Sequence, residues 1–69
     1  MKFQEFRSLV EAGGHPKGWR IGQAAFNALH DERRGLAEAI RCSTIDPFFR
    51  DGKLPEFWEF LEKNWEVEA

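Results

Sequence analysis

The segment that most restricts this chain is residues 19–30, which are apolar on nearly every side when wound as a helix. Trp19, Ile21, Ala24, Ala25, Phe26, Ala28 and Leu29 cover most of the circumference. Only Arg20, Gln23, Asn27 and His30 remain, in an arc of about 80°. A helix of this kind must be enclosed by others. The pattern therefore predicts a central helix over about 19–30, with the rest of the chain packed around it. Gly22, Ala24, Ala25 and Ala28 are small enough to let neighbours come close.

The flanking segments supply those neighbours. Residues 2–12 read as a helix with Phe3, Phe6, Leu9 and Val10 on one stripe, ended by Gly13-Gly14. His15-Pro16-Lys17-Gly18 is a loop. Asp31 is placed to cap a third helix over roughly 32–42, buried through Leu36, Ala37, Ala39 and Ile40. Asp46-Pro47 forms a short turn that presses Phe48 or Phe49 inward, and Arg50-Asp51-Gly52-Lys53 is a second turn. Leu54-Pro55 opens the last helix, with Pro55 at its first position. Over 56–68, Glu56, Glu59, Glu62 and Glu66 fall within an arc of roughly 120°. Phe57, Trp58, Leu61 and Trp65 take the opposite side. Glu59 and Lys63 make an i,i+4 pair. No segment alternates like a strand. The expected architecture is a single all-α domain over 1–69, a compact three- to four-helix module around the central apolar helix.

A chain of 69 residues buries only about 60% of its unfolded surface, so it needs a staple or a dense core. Cys42 is the only cysteine, which excludes an internal disulfide and fits a reducing compartment. Cys42, His15 and His30 lack metal-ligand spacing, so neither a metal nor a cofactor is expected. Cys42 reads as a buried, inert thiol at a helix end. Seven Phe and three Trp must supply the density, and these rings are expected to gather around the hub. Trp19, Trp58 and Trp65 read as core or near-core; a partly exposed one beside Arg20 or the Glu row would be an interface anchor.

Nothing at the N-terminus reads as a signal peptide, and no apolar run is long enough to span a membrane. A cytoplasmic protein is the expectation. The charge is uneven: residues 1–53 carry +2 and residues 54–69 carry −4, which together give the net −2. That polarity steers encounters with a partner.

Nucleophile elbows, phosphate loops and HExxH motifs are absent from the sequence, so binding rather than catalysis is expected. Two sets of residues are candidates for it. The carboxylates Glu56, Glu59, Glu62 and Glu66 form either a solvated face or an acidic docking row that imitates phosphates. Arg20, Gln23, Asn27 and His30, with Arg41, offer directional hydrogen bonds to a protein partner or to base edges. The cations Lys17, Arg20, Arg33, Arg34, Arg41, Arg50 and Lys53 are interrupted by Asp31, Glu32, Glu38, Asp46 and Asp51, which weighs against DNA.

Two segments taken together resemble small uncharacterised proteins encoded by tailed bacteriophages and prophages. The first runs from Gly18 through Gly22-Gln23 to Asn27-Ala28-Leu29. The second runs from Leu36 through Ile40-Arg41 and Asp46-Pro47-Phe48 to Leu54-Pro55-Glu56-Phe57. The shared polar positions are Gln23, Asn27, Arg41 and Asp46. The chain departs from the pattern at Cys42, where a Gly often follows Ile-Arg, and at Phe49, where a Tyr is common. The resemblance implies a phage or mobile-element origin and no defined activity. The reading that follows is a non-enzymatic accessory protein that binds a host or phage protein, including as an anti-CRISPR-like inhibitor of host defence. The alternatives are a nucleic-acid-binding accessory protein and a structural or assembly piece of a phage particle, with a homodimer open.

Overall fold

The elements of the computed structural model, which describes residues 1–66, follow the apolar stripes. Helix α1 is Phe3–Glu11, α2 is Ile21–Glu32, α3 is Arg34–Ile40 and α4 is Leu54–Asn64, the last entered through a 3-10 turn, Asp51–Lys53. No strand occurs among the described residues. The Cα radius of gyration is 10.9 Å, against about 11 Å for a close-packed chain of this length. The result is a compact all-α module.

Helix α2 is the enclosed one. Ala25 and Leu29 are wholly shielded, Ala24 and Phe26 nearly so, and Gly22 is buried. Helices α1 and α3 and the 3-10 turn pack on it, while α4 lies on α1. The core joins side chains from all four helices.

Only some of the rings gather at α2, where Phe26 meets Phe48 and Phe49 follows. A larger group lies between α1 and α4, where Phe3 and Phe6 meet Trp58 and Trp65 at centroid distances of 5.0–6.2 Å. Phe57 stacks edge-on against Trp58 at 5.1 Å. The inward face of α2 is mostly Gly and Ala, which cannot reach across a gap, so long side chains fill the space between the other two helices. Trp65 is the keystone. Its Nε1–H donates to the Met1 carbonyl at 2.9 Å, and the Arg33 guanidinium lies 4.5 Å over its ring. Arg33 Nη2 donates to the same carbonyl at 3.4 Å. The start of the chain, the α2–α3 junction and the end of α4 are thus tied at one point.

Several boundaries differ from the sequence reading. Arg20 is extended and stands outside α2, so Trp19 is also outside and is 37% exposed. Asp31 does not cap a third helix. The Arg33 amide donates to the Leu29 carbonyl at 2.7 Å, which carries α2 through Asp31 to Glu32 and shortens α3 to seven residues. Pro55 is the second residue of α4 rather than the first. Leu9 is 60% exposed. Burying Phe3, Phe6 and Val10 leaves it about 90° from the centre of the buried arc. The charge sorting of the last helix is as expected: Phe57, Trp58, Leu61 and Trp65 are buried, and the four glutamates are exposed. Glu66 follows the end of α4. Positions 67 and 68, included in that helix on sequence grounds, lie outside the described residues.

Cys42 is exposed, not buried. Helix α3 stops at Ile40, and Ile40 to Ser43 form a type II turn. Arg41 sits at φ −54 and ψ 128, Cys42 at φ 61, and the Ser43 amide donates to the Ile40 carbonyl at 2.9 Å. That turn demands a positive φ at its third residue, which favours glycine. Asp46 holds the loop that follows, accepting from the amides of Cys42 at 2.7 Å and Phe48 at 2.9 Å. Cys42→Gly is therefore expected to stabilise the fold by about 1 kcal/mol, seen as a rise in the urea midpoint. A fall would mean that the thiol contributes packing that its exposure denies.

Candidate interaction surface

The polar arc of α2 divides in two. Arg20 leaves it: its guanidinium donates to the Phe48 carbonyl, and its Nε lies 3.7 Å from Asp51 Oδ1. It staples the 46–51 loop to the start of α2. Gln23, Asn27 and His30 stay together on one face, each half-exposed. No hydrogen bond among the described residues engages the side-chain amides of Gln23 and Asn27. His30 Nε2 lies 3.5 Å from Glu38 Oε1, and Arg41 Nη2 lies 3.6 Å from the same oxygen. Arg41 also reaches over the Phe26 ring at 5.9 Å. A band of Gln23, Asn27, His30, Glu38 and Arg41 thus runs from α2 onto α3. Glu38, not among the candidates that periodicity offers, is the carboxylate at which the His30 and Arg41 side chains meet.

The acidic row stands apart from this band. Glu56 pairs with Lys53 at 3.8 Å, and Glu59 with Lys63 at 3.8 Å. Glu62 and Glu66 have no ion pair among the described residues. No hydrogen bond or ion pair among those residues joins the row to the band.

Exposed apolar side chains occupy further positions. Phe49 is 80% exposed, yet its ring is held 4.7 Å from Phe48, itself edge-on to Phe26. Beneath it Pro47 is fully buried. Of the two rings assigned to this turn, Phe48 is the one that faces inward. Met1 and Leu9 are 48% and 60% exposed and wall a groove of about 330 Å³ between α1 and α2, floored by Ala24 and Ala28. The sequence signal for Leu9 is its place at the edge of the stripe, about 90° from the centre of the arc that Phe3, Phe6 and Val10 share.

Among the described residues, no cluster of three or more His, Cys, Asp and Glu side chains is placed to hold a metal. No helix among them is long and apolar enough to cross a membrane. Compared with known proteins, the chain matches no protein-family model, no curated protein and no solved structure.

Proposed function

We propose that this chain is a non-enzymatic interaction module. More narrowly, it is a small phage-type accessory protein that binds a host or phage protein in the bacterial cytosol, with inhibition of host defence, in the manner of anti-CRISPR proteins, as the role placed first. The observation that carries this reading is the exposure of Met1, Leu9 and Phe49 on a module whose core is otherwise closed. Such side chains cost solubility and add little to the core, but they anchor interfaces. The half-exposed amides of Gln23 and Asn27, without a hydrogen-bond partner among the described residues, add hydrogen-bonding capacity. The phage-type resemblance is supported at one point by backbone geometry. The pattern's glycine falls at residue 42, where the type II turn favours glycine.

The test is capture from a bacterial lysate on the tagged full chain. A stoichiometric protein partner that survives a high-salt wash is expected, and its absence overturns the reading. A mobility shift with DNA or RNA that weakens steeply with salt would replace it with the nucleic-acid alternative. Incorporation into particles would replace it with the assembly alternative.

A further inference from the structure

The groove between α1 and α2 is lined mostly by apolar side chains, with His15, Asp31 and Glu32 as its polar members. Ala24 and Ala28, one turn apart on α2, are too short to fill it, and Met1 and Leu9 stand along its α1 side. Leu9 takes no part in the core. Asp31 and Glu32 line the same groove at the C-terminal end of α2. Both are exposed, and neither has an ion pair among the described residues. Their position is electrostatically unfavourable, because the last turn of a helix carries the negative end of its dipole, where cations are stabilising and carboxylates are not. The nearest cation in sequence does not relieve this: the Arg33 guanidinium is turned toward the Met1 carbonyl and the Trp65 ring. Arg34 makes no ion pair with either carboxylate among the described residues.

The geometry points to this groove as the docking site for one amphipathic helix of a partner protein, carrying Leu-sized apolar side chains flanked by Lys or Arg. This inference rests on the reading of the chain as a binding module and names the surface and the partner's chemistry. The apolar side chains fill the space left by Ala24 and Ala28, and the cation meets Asp31, Glu32 and the helix end together. A second copy of this chain is a poorer occupant. It would bring Leu9 with Lys2 and Glu5 beside it, a flank without net charge that leaves both carboxylates uncompensated.

Fluorescence anisotropy with a labelled helical peptide of Leu and Lys, and a matched peptide of Leu and Glu, tests this on the full chain. The Lys peptide is expected to bind saturably and the Glu peptide not to bind. Leu9→Gln, and separately the double change Asp31→Asn with Glu32→Gln, should each weaken binding about tenfold or more. Glu62→Gln on α4 together with Glu66→Gln just past its end should change it less than about twofold. All these positions are exposed, and the Asp31/Glu32 variant carries the test alone if Leu9→Gln melts early by circular dichroism. Equal binding of the two peptides, or an equal loss in the α4 variant, overturns the proposal. So does a concentration-dependent dimer in sedimentation that Leu9→Gln dissolves, since a second copy is then the occupant. Selective peptide binding without any lysate partner keeps the groove and removes the functional reading. A lysate partner held equally by wild type and both groove variants does the reverse.

Discussion

Replacing Trp65 with Ala is expected to remove about 3–5 kcal/mol of stability, a large share of what holds the protein folded. The side chain is 1% exposed, and its ring touches Phe3 and Phe6 from α1 and the Arg33 guanidinium from the α2–α3 junction. Its indole N–H also satisfies the Met1 carbonyl. Truncating a buried Trp costs about 3–5 kcal/mol. A chain of 69 residues has about 3–10 kcal/mol in all, so one side chain accounts for much of the total. Urea denaturation followed at 222 nm by circular dichroism reads the loss directly. Trp65→Phe keeps a ring but removes the N–H donor, and should fall between wild type and Trp65→Ala. Trp19→Ala, at a residue outside the core cluster, should cost about 1 kcal/mol or less. Equal losses at Trp19 and Trp65 would contradict the placement of the aromatic core between α1 and α4.

Gly22→Ala should destabilise by about 3 kcal/mol, although helix propensity alone favours Ala by about 1 kcal/mol. A Cβ at residue 22 would overlap the Pro47 carbonyl oxygen and stand 2.7 Å from Asp51 Oδ1. Both lie on the loop that closes over α2, and the first is backbone, which cannot rotate away. The Gly22 amide also donates to Asp51 Oδ1 at 2.9 Å. That bond satisfies an orphan N–H in the first turn of α2 and sets a carboxylate at the positive end of the helix. Crowding it out adds to the steric loss. In a protein of this size the change corresponds to a fall in Tm of about 12–24 °C. Gly14→Ala and Gly52→Ala are the controls. A Cβ at either meets nothing within 4 Å, and neither has a positive φ, so both should be neutral or slightly stabilising. A neutral Gly22→Ala would mean that the 46–51 loop does not press on α2 as described.

The candidate surface was legible only in part. Gln23, Asn27 and His30 share an arc that helical periodicity alone reveals, and the structure keeps them together. Arg20 belongs to that arc only in a helix that starts at 19. Once the chain is extended at Arg20, its guanidinium is free to reach the 46–51 loop, a contact between residues 28 apart in sequence. Glu38 could not be seen as the centre of a cluster, because its meeting with His30 depends on how α3 turns back against α2. The acidic row was plain, since its members are close in sequence, three of them on α4 and Glu66 just past its end.

Short-range periodicity alone determined that this chain is helical, that α2 is the enclosed helix, and that α4 sorts carboxylates from rings. Those properties repeat every three or four residues and are written in the order of the side chains. Only the tertiary structure decided which rings meet, that Asp51 rather than a neighbouring residue caps α2, and that Leu9 walls a groove. Each of these depends on a distance between residues far apart in the chain, and the chain can close such a distance in many ways until the close contact at Gly22 and the packing around Trp65 select one.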